Sequence, residues 1–173
     1  SISYVNNEIG VIQPIREIAK IIREYKKLTK LQANEATLYF HIDACQASQF
    51  LDLNVARLGV DLLTLNSAKI SNTKGVGVLY VKRGVTLEPI IYGGGQERGL
   101  RSGTENVPAI TQFAEALKLS VKKREKESAR LIKLRDYFIK KLLKFEGTTL
   151  NGSATERVAN NVNVSFAGAD SEY

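Results

Sequence analysis

The feature that most constrains the fold is a rhythm of short apolar runs ending on polar residues, separated by stretches with apolar residues at helical spacing. ISYV (2–5), LYFHI (38–42), DLLTLN (61–66) and GVGVLYV (75–81) are too short for helices and rich in β-branched and aromatic residues, so each predicts a strand. EPIIY (88–92) and NVNVSF (161–166) predict two more. Pro14 opens a helix at its first turn, with Ile15, Ile18, Ile21, Ile22 and Tyr25 on one face, and Lys26 to Ala36 reads as a polar connection. A helical turn is expected near Asn54–Leu58. A long helical region, bent in the 120s, should follow Pro108 and run to about Phe145. Strands alternating with helices predict an α/β layered fold on a mostly parallel sheet, and the near-continuous apolar strands predict helices on both faces.

In such sheets ligands gather outside the carboxyl ends of the strands. Asp43 and Asn66–Lys69 stand just past two of those ends. Asp43 can cap the turn that follows it, or it can aim a carboxylate into a ligand crevice, where it needs a cationic partner. Lys69 is either an ordinary surface lysine or an amine that forms a Schiff base. Small polar Asn66 and Ser67 before it would let a bulky ligand approach and could donate to a phosphate. Lys74 competes with it but stands beside Gly75 at the start of the next strand. GGGQERGLRSGT (93–104) reads either as a flexible loop or as an anion-facing one, with Arg98, Arg101 and Thr104 as donors. No GxxxxGK[ST] is present, and no GxGxxG follows a strand.

Composition narrows the classes. The net charge of +7 points toward nucleic acid only until it is located: Lys118–Lys144 holds eleven basic and three acidic residues, more than the whole excess. That stretch keeps Leu131, Leu134, Phe138 and Leu142 at helical spacing, which predicts a buried stripe with the cations in water. It has no aromatic interleaving for base stacking. One His and one Cys cannot supply four metal ligands or an internal disulfide, so no metal is expected. Cys45 reads as a small buried hydrophobe. No apolar run reaches the roughly 20 residues of a membrane span, and a reducing, cytoplasmic setting is expected. The chain opens at Ser1 on strand-like sequence, contains no Met and stops just past VNVSF, which reads as an internal piece of a longer protein.

VNNEIG (5–10), HIDACQ (41–46), LTLNSAKISNTKGVGVLYVKR (63–83) and GGGQERGLRSGTENV (93–107), in this order and spacing, resemble the successive motifs of the NifS/IscS-like cysteine desulfurases in the class V aminotransferase family. The similarity runs over essentially the whole chain. It implies a fold-type I pyridoxal-phosphate enzyme, with residues 1–122 as the C-terminal half of the large cofactor domain and 123–173 as the beginning of a small α+β domain. It also implies removal of sulfur from L-cysteine, leaving L-alanine and an enzyme persulfide that feeds iron–sulfur cluster assembly or tRNA thiolation. The cofactor is then pyridoxal 5′-phosphate, held through a Schiff base by Lys69, which is also the proton shuttle. Asp43 matches the partner of the pyridine nitrogen, and Gln46 a donor to the phenolic oxygen. Asn7 matches an amide near that oxygen and the substrate. Thr104 matches a residue that reaches the phosphate of the other subunit, so a homodimer and a sulfur-acceptor protein are the implied partners, with neither nucleic acid nor membrane.

Two departures from the family pattern bear on the site. Where the family has Ser, a small residue and His before the lysine, this chain has Asn66, Ser67 and Ala68. Where Tyr-Gly-Pro follows the lysine and Ile, it has Ser71, Asn72 and Thr73. Phosphate binding is thereby expected to fall on Asn66 and Ser67. By the same resemblance, the persulfide-bearing cysteine belongs beyond the equivalent of Tyr173 and is not Cys45. The alternatives are another class V enzyme, such as a selenocysteine lyase or an aminotransferase, and a non-catalytic paralogue serving as dimerisation or scaffold partner.

Overall fold

The computed structural model describes residues 1–30, 38–71 and 74–169. Four strands form one sheet in the order β1 (Ile2–Ser3), β2 (His41–Asp43), β3 (Leu62–Asn66) and β4 (Gly77–Val81). β1, β2 and β3 are parallel, with Ile2 opposite Ile42 and Ile42 opposite Leu63. β4 runs antiparallel to β3, with Leu65 opposite Val78. Gly77 gives that pairing a close approach at its start, since a Cβ there would lie a tight 3.1 Å from the Leu65 carbonyl oxygen.

Alternation along the strands sorts the sheet into two faces. Ile42, Leu63 and Leu65 point into one apolar cluster with Ile15 and Ala19 of α1 (Ile15–Lys30), Leu58 of α2 (Val55–Leu58) and Phe113 of α3 (Val107–Leu142). His41, Leu62 and Thr64 on the other face are only half-buried, and Asp43 and Asn66 are exposed there. Among the described residues one face carries the buried cluster and the other is half-buried, on the mostly parallel sheet with helices that the sequence predicts. Apolar character at Leu62 and Leu79 signals a surface suited to burial, without naming what buries it.

Several local expectations shift for physical reasons. α1 continues through Lys26–Lys30, helped by Lys26, which reaches the buried Asp61 at 2.7 Å; residues 31–36 of the expected connection lie outside the described residues. Its packed face runs through Ile15 and Ala19, leaving Ile21 and Tyr25 exposed. EPIIY forms no strand: Pro89 removes a ladder donor, and Ile90 and Tyr92 lie in the open. α3 is capped by Asn106, whose Oδ1 accepts from Ala109 N, and it runs unbroken through the expected bend and through residue 122. Its packed stripe is rotated from the expected one. Arg135 and Ile139 are buried, while Leu134 and Phe138 are exposed. The guanidinium of Arg135 donates to the carbonyls of Arg157 and Val158 at 2.8 and 3.0 Å, and satisfying those buried acceptors sets the helix rotation. An unexpected strand, β5 (Thr148–Leu150), pairs antiparallel with β6 (Val164–Phe166), the later half of NVNVSF.

Candidate active site

Because β1, β2 and β3 are parallel, their carboxyl ends share one edge, and the backbone locks the three exits together. Tyr4 N donates to Asp43 O at 2.8 Å and Ala44 N donates to Thr64 O at 3.0 Å. The exits carry Asn7, then Asp43 and Gln46, then Asn66, Ser67 and Lys69. Those six are the expected residues that the fold brings to one edge. Thr104 is not joined to them by any hydrogen bond or ion pair among the described residues.

After β1 the chain makes a tight turn. Asn6 Oδ1 accepts from Glu8 N and Ile9 N, both at 2.9 Å, and Gly10 N donates to Asn6 O at 3.0 Å. Asn7 is exposed at the tip of this turn. After β2, Asp43 Oδ1 accepts from Cys45 N at 2.9 Å, so the capping role is real, yet the carboxylate stays exposed and in no salt bridge among the described residues. After β3, Asn66 caps a short 3-10 turn, Ser67–Lys69, by accepting from Ala68 N at 2.9 Å. This leaves the Asn66 side-chain NH2 as a donor. Ser67 is fully buried, so its hydroxyl is not presented at the surface where an incoming phosphate would meet it. Asn72 and Thr73 lie outside the described residues.

Lys69 is exposed, and its Nζ makes no hydrogen bond or ion pair with any described residue. Its backbone is held: the Gln49 side-chain amide donates to the Lys69 carbonyl. Gln49 belongs to the loop that carries Asp43 and Gln46, so the lysine turn and the aspartate loop are tied to each other. Sequence reasoning missed Gln49, since an amide in a polar loop carries no signal until its partner is known. Cys45 is within the influence of both Asp43 and Lys69. Burial pushes its thiol up to about 12, Asp43 adds to this through a hydrogen bond and its charge, and Lys69 pulls the other way. A thiol in that environment remains protonated at neutral pH and is a weak nucleophile.

His41, on the same face, places Nε2 2.7 Å from Thr64 Oγ1, and burial lowers its pKa. The 93–104 loop is closed upon itself. Ser102 N donates to Ile91 O, Gly103 N to Gln96 Oε1, and Arg101 to the Ser102 carbonyl. Glu97 and Arg98 hold positive φ angles of 49° and 61°, a strained backbone of the kind that clusters at binding loops. No group of three metal-ligating side chains occurs among the described residues, and no described helix is long and apolar enough to cross a membrane.

A primary amine with no partner among the described residues, an exposed carboxylate past the neighbouring strand, and side-chain amides on the same strand exits make an unusual edge. Residues 1–173 match the aminotransferase class-V family. The chain belongs to that family. Among class-V relatives, it is 44% identical over 172 residues to cysteine desulfurase IscS of Methanosarcina thermophila, covering 99% of this chain and 40% of the relative. It is 46% identical over 174 residues to the mitochondrial cysteine desulfurase of Saccharomyces cerevisiae, covering 99% and 33%. The chain thus spans two fifths or less of the length of these curated relatives. A NifS-like protein from Rickettsia africae ESF-5 superposes with a TM-score of 0.88 at 31% identity, covering 98% of this chain and 44% of that one. The α/β architecture is accordingly part of the class-V large-domain fold. The edge fits pyridoxal phosphate on chemistry alone: an amine for its aldehyde, a carboxylate for its ring nitrogen, and neutral amides for its phenolic oxygen.

Proposed function

We propose that the protein is a pyridoxal-phosphate-dependent cysteine desulfurase, which takes sulfur from L-cysteine, releases L-alanine and passes the sulfur as a persulfide to an acceptor for iron–sulfur cluster assembly or tRNA thiolation. The observation that carries this reading is the amine of Lys69, free of any described partner and tied through Gln49 to the loop of Asp43. The names of the relatives supply the substrate. When bound, the cofactor supplies an electron sink for the α-carbon of the substrate.

The chain's own residues divide the remaining work. Lys69 Nζ anchors the cofactor and then moves the proton at the substrate α-carbon. Asp43 holds a proton at the ring nitrogen. Gln46 and Asn7 orient the phenolic oxygen, and the Asn66 amide donates to the phosphate from the turn in which Ser67 is buried. Residues 1–122 act as the later half of the cofactor domain, and 123–173 begin the small domain. Thr104 serves the site of a second subunit, which agrees with a self-closed loop that makes no hydrogen bond or ion pair with this chain's own cluster among the described residues, and with the exposed Ile90 and Tyr92 beside it. The single half-buried thiol suits a reducing, cytoplasmic compartment.

Borohydride reduction of the intact protein with its cofactor, followed by peptide mapping, tests the assignment. Label on Lys69 is expected, and label confined to Lys74 would sink it. Alanine and sulfide in equal amounts from L-cysteine separate a desulfurase from other class-V activities.

A further inference from the structure

The C-terminal segment touches the site from outside, through a buried cation. Arg157 is 3% exposed and faces no carboxylate among the described residues: Nε donates to Ser153 O at 2.9 Å, Nη1 to Asn161 Oδ1 at 2.8 Å, and Nη2 to the Asn151 carbonyl. Burial, and then the charge of Arg135, lower its pKa. A buried cation without an anion is a poor device for stability, since an apolar side chain of similar volume would avoid the desolvation cost. Its effect on geometry is more specific.

A guanidinium only donates, so Asn161 must turn its carbonyl oxygen toward Arg157 and its NH2 the other way. That NH2 donates to Glu8 O at 2.9 Å, and Asn163 Nδ2 donates to the same oxygen at 3.2 Å. Glu8 is the residue after Asn7. The grip extends along the strand: Val158 N donates to Gly10 O at 3.0 Å, Ile12 N to Glu156 O at 2.9 Å, and Val11 bridges Arg157. Gly10, at φ 69°, admits this approach. A Cβ there would stand 2.5 Å from Asn161 Cγ.

We infer that Arg157 and Asn161 are positioning residues that set the Asn7 turn from outside the cofactor edge, Arg157 by fixing the amide orientation of Asn161 and Asn161 by holding the Glu8 carbonyl. The inference rests on the reading that Asn7 faces the phenolic oxygen of the cofactor. Asn161→Asp is nearly isosteric and keeps an acceptor for Arg157, but it removes the donor and sets a carboxylate against the Glu8 carbonyl. Asn7 then loses its placement while Lys69 and Asp43 keep theirs.

The experiment uses the intact holoenzyme and reads the visible absorbance of the bound cofactor against pH, without substrate, together with cofactor content, kcat and KM. Asn161→Asp is expected to retain cofactor, to shift the midpoint of the absorbance titration in the same direction as Asn7→Ala, and to lower kcat/KM by on the order of a hundredfold. The double variant should shift no further than Asn7→Ala alone, because both act through one contact. Asn163→Ala, which removes the longer of the two donors, should give a smaller shift of the same sign and serves if Asn161→Asp does not fold. Shifts that add in the double variant, or single Asn161 and Asn163 variants that lower the unfolding midpoint with an unchanged titration, overturn the inference and leave the desulfurase reading intact. An unaltered spectrum and turnover in Asn7→Ala would instead remove the Asn7 role, and the inference with it.

Discussion

At the scale of single residues, the cofactor edge separates groups that differ only in what surrounds them. Asp43 has its Oδ1 committed to Cys45 N yet remains exposed beside Lys69's turn, so capping and chemistry coexist in one carboxylate. Asp43→Asn keeps the cap, because an amide oxygen accepts equally well, and removes only the charge. Turnover of the intact enzyme should therefore fall by roughly two orders of magnitude with cofactor content little changed, since the lost interaction matters most once charge develops on the substrate. Near wild-type turnover would end the proposed role. Cys45 gives a second check. With its thiol pushed up to about 12, alkylation by iodoacetamide should be slow at pH 8 and its rate should keep rising with pH without a plateau up to pH 10. Rapid labelling at pH 7 would mean a thiolate that this environment does not support.

At the scale of elements, the ends of α1, β3 and β4 meet on Asp61. Its side chain accepts from Lys26 Nζ at 2.7 Å, Phe40 N at 3.0 Å and Lys82 Nζ at 3.1 Å. Burial alone would raise its pKa, but those three donors together hold it below the ordinary carboxylate value. A depressed carboxyl pKa contributes stability that is present in full above the unfolded value and lost as pH falls through the folded one. The unfolding midpoint should accordingly drop below pH 4 in the wild type, and Asp61→Asn should flatten part of that decline. Asp61→Ala strands the Phe40 N–H, at a cost of about 1–3 kcal/mol at neutral pH, while the two lysines can still reach water. Equal acid sensitivity in wild type and Asp61→Asn would assign the decline to other carboxylates. The same contact helps carry α1 past its expected end at Tyr25, since Lys26 finds a buried partner while still within the helix. Helical spacing in the sequence records apolar residues but not such a pairing.

At the scale of the whole molecule, residues 1–173 alone, supplied with pyridoxal phosphate, L-cysteine and a reductant, should give no catalytic sulfide. The only thiol is the half-buried Cys45, and desulfuration needs an accessible thiolate. Sulfide formation that vanishes in Cys45→Ser would make Cys45 the nucleophile. In the intact protein, Ile90→Glu with Tyr92→Glu should weaken self-association measured by sedimentation, since both side chains stand exposed on the loop proposed to serve a second subunit. The alternating α/β plan, the polar strand ends at Asp43 and Asn66, and the lysine past β3 were legible by themselves, because burial periodicity and strand-end placement are local properties. Local pattern misassigned EPIIY and the packed stripe of α3, each decided by a distant partner or by its lack among the described residues. Motif order in the sequence was enough to assemble Asn7, Asp43, Gln46 and Lys69 as candidates. Only the tertiary structure decided that Ser67 is buried, that Gln49 braces Lys69, and that Arg157 reaches the Asn7 turn through Asn161 across more than 150 residues of chain. Hydrogen-bond partners so far apart leave no periodic trace, and an arginine in sequence looks like a surface cation until the fold closes around it.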